Sequence, residues 1–529
     1  MKKLVSMLTV GLMLVMMLCG CGSAVADEET TDDVVTYNTL GYYVYTLLED
    51  GTVQIAKYTG EAEALVIPDT LAEKVVTGIG NFAFESCSSL KAITIPNSVT
   101  TIGVSPFYDC TSLTSITVSS DNSNYATIDG VLFCKSDKTL INYPCGKSND
   151  NYQIPDGIIS IGNGAFYECS SLIEITIPDS VTTIGDGAFC ECSSLTEITI
   201  PDSVTTIGEC AFQECSSLTE MTIPDSVTTI GAGAFRECSS LIEITIPDSV
   251  TTIGICPFYR CTSLTSITVS PDNSNYATID GVLFCKSDKT LINYPCRKSN
   301  DNYQIPDGII SIGAGAFYDC SSLTEITIPD SVAIIDNAAF AYCSSLTEIA
   351  IPDSVTTIGD SAFGCCSSLT EITIPDSVTS IGICPFTFCS SLTDIIVSPD
   401  NANYATIDGT LFSKADMTLI NYPCGKSNES YQIPEDTISI GYAAFSGCSS
   451  LTEIIIPNSV TTIGDYAFAS CSSLTEITIP DSVKEIGEDA FSNCGNLTLT
   501  VTRDSYAAQY AKDNDLQYTY TDSNDWLNN

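Results

Sequence analysis

Fourteen cysteines occupy one place in a recurring C-x-x-L motif: Cys87, Cys110, Cys169, Cys192, Cys215, Cys238, Cys261, Cys320, Cys343, Cys366, Cys389, Cys448, Cys471 and Cys494. Such a row could form disulfides, bind metal or stay as buried thiols. Copies stacked as parallel rungs would set their Cβ atoms about 4.8 Å apart, beyond the roughly 3.5–4.5 Å of a disulfide. The row is therefore expected to be reduced, each thiol acting as a small apolar residue with a weak donor. A straight row does not converge on a point, so no metal site is expected of it. Two further pairs, Cys134/Cys145 and Cys285/Cys296, could each bridge a hairpin; the third copy has Ser413 opposite Cys424, so such a bridge is dispensable. Many free thiols in a secreted chain imply a reducing habitat.

Carboxylates form a second row. In L-x-E-I-T-I the acid falls at Glu174, Glu197, Glu220, Glu243, Glu325, Glu348, Glu371, Glu453 and Glu476, with Asp394 in the same slot. Threonine follows two residues later at Thr176, Thr199, Thr222 and Thr245. Side chains alternate across a strand, so Glu and Thr share the face opposite the core. These residues are either a candidate binding face, one that divalent cations would occupy weakly, or a solvated face multiplied by duplication. The Asp272–Asn275 segment looks like a calcium loop but fails that pattern: position six is Ala277 and position twelve Leu283. The chain has no histidine, which excludes Ser-His-Asp and Cys-His catalysis and His-ligated metals. No Gly-rich phosphate loop or serine-nucleophile elbow is present. No catalytic residue, cofactor or metal site is expected, and the reading is non-enzymatic.

The elements that position these rows follow from a 23-residue period. The Ile preceding Pro falls at Ile154, Ile177, Ile200, Ile223 and Ile246, then at Ile305, Ile328, Ile351 and Ile374, then at Ile433, Ile456 and Ile479. A unit this short cannot bury its apolar side alone and must stack on the next copy. In the copy Leu195–Ser217, Leu195, Ile198 and Ile200 predict a short strand that Pro201 ends. Asp202-Ser203 predicts a turn, Val204 to Ile207 a second strand, and Ala211-Phe212 an inward-pointing helical or 3₁₀ turn. Three rungs are longer: Val118 to Ile154, Val269 to Ile305 and Val397 to Ile433 each span 36 residues. Their extra residues, such as Tyr125 to Ile128, Asp129-Gly130 and Val131 to Phe133, predict a hairpin. The fold class expected is mostly β with little helix: a right-handed solenoid of ~23-residue rungs with three 36-residue hairpin-bearing rungs.

The ends differ from the rungs. Residues 1–20 read as a lipoprotein signal peptide, with Lys2 and Lys3 before an apolar run and Leu18-Cys19-Gly20-Cys21 resembling a lipobox, which implies lipidation at Cys21. Residues 21–36 form an acidic tether and 37–66 an N-terminal β-hairpin cap. The solenoid follows over 67–496. A C-terminal cap and tail occupy 497–529, with helical character over Ser505–Asn514 and strand character over Leu516–Tyr520. With 19 Lys+Arg against 65 Asp+Glu, the surface disfavours nucleic acid and anionic membranes. Membrane contact is expected only through the lipid anchor.

The I-P-x-S-V-T-x-I-G-x-x-A-F-x-x-C-S-S-L-T-x-I pattern resembles the BspA-like leucine-rich repeats. The extended rung S-x-D-N-x-N-Y-A-T-I-D-G-x-L-F…Y-P-C-x-K-S and the end A-A-Q-Y-A-K-D-N-D-L-Q-Y are similar to that family too. The resemblance implies a bacterial surface protein, lipid-anchored on the extracellular face of the envelope. It also implies adhesin-like binding of host or neighbouring-cell proteins or glycans. The alternative is a structural spacer or coat without a specific ligand.

Overall fold

The computed structural model describes residues 36–298 and 301–521. The signal peptide, Cys21 and nearly all of the tether lie outside the described residues. Two compact units divide the chain between Ser287 and Asp288.

In the amino-terminal unit the 23-residue rungs stack along three sides, and on the second of these the strands fall into separate sheets, one ending at Glu197–Thr199 and the next beginning at Glu220–Thr222. The first side is a ladder of very short parallel strands, Thr183–Ile184, Thr206–Ile207, Thr229–Ile230 and Thr252–Ile253, in which Thr183 faces Thr206 and Ile184 faces Ile207. The second carries Glu174–Thr176 against Glu197–Thr199, and Glu220–Thr222 against Glu243–Ile246. Proline ends this strand because it has no N–H to give the ladder.

The third side meets the expected helical or 3₁₀ turn only in part, as separate turns closed by i→i−3 bonds. Alternate N–H groups close tight turns within a rung, Ala188 to Gly185 O, Cys190 to Gly187 O and Cys192 to Phe189 O. The intervening ones cross to the next rung: Gly187 to Glu209 O, Phe189 to Ala211 O (2.8 Å) and Glu191 to Gln213 O (2.8 Å). A helix would direct every N–H inward along its own axis and leave nothing for the neighbour. The alternation requires left-handed backbone at intervals, found at Gly187 (φ 58) and Glu191 (φ 61).

The interior is apolar and repetitive. Val204, Ile207, Ala211, Phe212, Cys215 and Leu218 of one rung are all fully buried. Phe166, Phe189, Phe212, Phe235 and Phe258 form a stack with centroids 5.1–5.6 Å apart and planes within 18°. Burying each such apolar side chain contributes about 1.5–3 kcal/mol. The carboxy-terminal unit repeats the plan: Ile335 faces Ile358, Glu453 faces Glu476, and Phe317, Phe340, Phe363 and Phe386 stack.

The extended rungs contain the expected hairpin. Tyr125–Ile128 pairs antiparallel with Val131–Cys134, and Asp129 (φ 51) and Gly130 (φ 80) make the two-residue turn with left-handed backbone at both positions. A third strand, Thr139–Asn142, returns the chain to the parallel ladder by pairing with Ser160–Ile161. The Asp-Asn-Ser-Asn segment is structural. Asn122 is buried, its amide donating to Pro96 O and Val99 O while its carbonyl accepts from Asn124 and Tyr125; Asn273 makes the same bonds in the second copy.

Elements unlike the rungs stand at both ends of the described residues. Tyr43–Leu47 and Val53–Tyr58 form the N-terminal hairpin, joined by Tyr37–Leu40, and Val53–Tyr58 enters the parallel ladder beside Lys74–Ile79. At the other end helix α1 (Tyr506–Asp513) is capped by Ser505, whose hydroxyl accepts from the Ala508 N–H. Its Ala507, Ala508 and Ala511 are buried, and strand Gln517–Tyr520 pairs with Thr498–Val501. No helix among the described residues is long and apolar enough to cross a membrane.

Candidate binding faces and the cysteine rows

The predicted carboxylate row lies on exposed strand positions. Glu174 stands beside Glu197, Glu220 beside Glu243, and Glu453 beside Glu476, in parallel register and flanking buried Ile or Met. Thr176 faces Thr199, and Thr222 faces Thr245. The row is broken where other residues take the slot: Glu174 also faces Asn151, Glu243 faces Ser266 and Glu325 faces Asn302, whereas Glu371 faces Asp394, a carboxylate of the same row. Glu348 is exposed on a strand side whose pairing is reduced to one bridge, Ala350 to Thr373. Glu476 accepts a hydrogen bond from the Thr500 hydroxyl, 2.9 Å. Exposed Ile173 and Ile242 sit one residue before Glu174 and Glu243, so the face is not wholly polar. Among the described residues no cluster of three or more His, Cys, Asp or Glu could hold a metal ion.

The expectation of a wholly reduced cysteine row is overturned at three places. Disulfides join Cys145 to Cys169, Cys296 to Cys320 and Cys424 to Cys448. Each separation is 24 residues, one more than the period. Tyr143 stacks on Phe166 and so holds the Phe place of its rung, which puts Cys145 one position short of the row. That offset brings the Cα atoms to 4.4–4.5 Å, at the near end of the disulfide range. The hairpin bridges Cys134/Cys145 and Cys285/Cys296 do not form; Cys134 and Cys285 are free. Ser413 leaves the third bridge intact because its position never took part.

The other eleven row cysteines are free, and ten do more than fill space. Cys192, Cys215 and Cys238 each donate their S–H to the Phe carbonyl of the preceding rung, Phe166, Phe189 and Phe212, at 3.1 Å. Cys343, Cys366 and Cys389 do the same with Phe317, Phe340 and Phe363. Burial pushes these thiols up, Cys192 to about 12, so they are poor nucleophiles.

A second acidic row was missed in the sequence. Glu168, Glu191, Glu214 and Glu237 directly precede row cysteines on the turn side, all with left-handed backbone. Together with Thr111, Ser170, Ser193 and Ser216 they line a groove of about 360 Å³. Arg236 and Arg260 close one end on Glu237, at 3.3 and 3.1 Å. Tyr167 donates to Glu191, 2.6 Å, and stacks on Tyr108, 3.9 Å between centroids. Burial, Asp109 and Glu191 push the Glu168 carboxyl up to about 7. The F-x-E-C spacing was a readable signal, but its partner Asp109 lies 59 residues away across an extended rung. In the carboxy-terminal unit the slot holds Asp319, Tyr342, Cys365, Phe388, Gly447, Ser470 and Asn493, a single acid among seven, so the row does not recur there.

A raised carboxyl binds its proton more tightly folded than unfolded. Stability therefore falls as pH rises from the ordinary Glu range through about 7. Thermal melting should shift upward on acidifying from pH 8 to about 5.5, and Glu168→Gln should flatten that dependence. Solvent screening at this half-exposed site limits the effect to about 1 kcal/mol. An unchanged pH profile in the variant would show that Glu168 does not carry the charge penalty.

A family model described as "BspA type Leucine rich repeat region (6 copies)" matches residues 57–146, 142–265, 182–304, 310–428 and 421–510. The chain belongs to the BspA-type leucine-rich repeat family. Among solved structures, this BspA-type chain is similar to a leucine rich cell surface protein from Faecalibacterium prausnitzii, at 30% identity over 91% of this chain and 98% of that one, TM-score 0.36. It is also similar to a leucine-rich repeat protein from Eubacterium ventriosum, at 24% identity over 86% and 94%, TM-score 0.42. The pneumococcal vaccine antigen PcpA shares 19% identity over 92% and 99%, TM-score 0.39. No curated protein matches the chain.

Proposed function

We propose that the chain is a non-enzymatic cell-surface binding protein that presents its Glu/Thr strand face to an extracellular protein or glycan. The observation that carries this is the register: within pairs of successive rungs exposed Glu faces Glu and exposed Thr faces Thr, a repeated exposed surface. Repeat arrays bind through such extended faces, with affinity spread over several rungs. The surface location is supported by the Faecalibacterium relative, a cell surface protein, and by the lipobox-like segment ending at Cys21. Divalent cations would bind the row weakly, because its carboxylates lie in line rather than around a point.

Replacing Glu197, Glu220 and Glu243 together with Lys should reduce adhesion of the protein to cells or matrix, while Glu220→Lys alone should change it little. Higher salt should weaken the wild-type complex if the partner is basic. A folded triple variant that adheres as well as wild type would remove this face as the site and leave the spacer reading.

A further inference from the structure

The amino-terminal rim of the first unit exposes apolar residues on two edge strands. On the first side the outermost strand is Tyr37–Leu40, bonded to Tyr43–Leu47 and, among the described residues, open along its other edge. Tyr37 and Tyr42 are each 64% exposed, and Leu40 and Leu47 are exposed as well. Tyr42 stands edge-on to Tyr58, 6.4 Å between centroids, which holds its ring in place at the hairpin turn. No residue from Thr36 to Leu48 is charged, in a chain of net charge −46. On the second side the outermost strand is Ala64–Val66. Its outward places are those that Glu and Thr fill on later rungs. Here they hold Ala64 and Val66, the latter 70% exposed, and Ala64 faces Ala92. The acids next to these strands in sequence are Glu49, Asp50, Glu61 and Glu63, and Glu63 is paired with Lys91 at 2.9 Å.

We propose that this rim is a membrane-contact surface: Tyr37, Leu40, Tyr42, Leu47 and Val66 enter the headgroup layer of the bilayer that holds a lipid on Cys21. The proposal rests on lipidation at Cys21, which lies outside the described residues. Only residues 22–36 separate that cysteine from Tyr37, and fully extended they span about 50 Å. The rim is therefore kept at high local concentration beside the bilayer, an advantage over a second copy arriving from solution. Tyrosine suits that depth, with an apolar ring and a hydroxyl that stays wet. Depth is limited by the unpaired N–H and C=O groups of Tyr37–Leu40, because a strand edge in hydrocarbon has no water to bond. The headgroup layer covers the side chains and leaves that edge hydrated. The strand carries neither Lys nor Pro, the residues that commonly guard a free edge. The contact adds to the anchor: it fixes the first rungs at the membrane, where a tether alone would let them swing.

The test uses the full lipidated chain in phosphatidylcholine vesicles, with flotation to show that it is bound. The single tryptophan is removed by Trp526→Phe, and Tyr42→Trp supplies a reporter on the rim. Ile255→Trp, at an exposed position on a later rung of the same unit, is the control. With lipids brominated near the top of their acyl chains, Tyr42→Trp should lose emission and shift to the blue, and Ile255→Trp should do neither. Adding Tyr37→Asp and Leu40→Asp should abolish that quenching while the chain still floats. Both side chains are exposed, so its circular dichroism should not change.

A floated chain whose Tyr42→Trp is unquenched overturns the contact and leaves the anchor standing. Equal quenching of Ile255→Trp overturns it too, since the contact would not then be confined to the rim. A blue shift of Tyr42→Trp that grows with concentration in lipid-free chain, expressed without residues 1–20, would assign the rim to a second copy instead. A chain that does not float has no anchor, and the contact falls with it.

Discussion

Phe212→Ala is expected to destabilise the amino-terminal unit by about 3–5 kcal/mol, because it removes a fully buried ring from the middle of a stack that cannot close up. The neighbouring rings lie 5.2 and 5.6 Å away, and the rungs that carry them are pinned by backbone bonds such as Cys210 N–H to Ala232 O and Phe212 N–H to Ala234 O, both 2.8 Å. Relaxation into the space would break those bonds, so the cavity persists. Urea unfolding followed by circular dichroism reads the effect, as an early loss that leaves the signal of residues beyond Asp288 in place. Phe212→Leu, which keeps most of the volume, should cost clearly less. An alanine variant within about 1 kcal/mol of wild type would mean that the stack does not carry the core.

Removing the Cys145–Cys169 disulfide is the second large effect. Cys145→Ser should lower stability by about 2–4 kcal/mol, because the bridge closes a loop of some two dozen residues that the unfolded chain otherwise explores. Cys134→Ser should be nearly neutral. The pairing itself is read by peptide mapping under non-reducing conditions, where Cys145 should travel with Cys169. A Cys134–Cys145 peptide would restore the hairpin bridge and overturn the structure's assignment. The same map should show Cys424 with Cys448, with Ser413 bearing on neither.

These two residues also mark how far the sequence could be read. The period places Phe212 without ambiguity: it recurs at the same phase as Phe189 and Phe235, and a residue that repeats with its rung must stack on its own copies. The same logic located the outward Glu and Thr, whereas the Asp-Gly hairpin turns and the carboxy-terminal helix rest on local turn and helix signals. It fails for residues that do not repeat. Cys145 has no 23-residue counterpart, so its partner depends on a one-residue offset that shows only when Tyr143 is seen to stack on Phe166. Glu168 repeats, yet its raised carboxyl comes partly from Asp109, which becomes its neighbour only because the extended rung is stepped over. The alternating turn bonds were hidden for a different reason: Ala-Phe within a short polar segment suits a helical turn locally, and demand from the next rung's carbonyls decides otherwise.

The register that makes the strand face also makes the chain its own template. Ile175 lies on Ile198 and Thr176 on Thr199, the same in-register stacking of identical side chains by which fibres elongate from their tips. A rung with an open edge would present the next molecule with a surface it already fits. At the carboxyl end, Gln517–Tyr520 takes up the donors and acceptors of Thr498–Val501 and offers onward a sequence unlike any rung, while α1 lays its alanines over the exposed core. Like-charged Glu stacked on Glu opposes the same docking between molecules. Soluble repetition of this kind therefore depends on its terminators: the caps hold an intramolecular stack at finite length where the same interactions, uncapped, favour polymerisation.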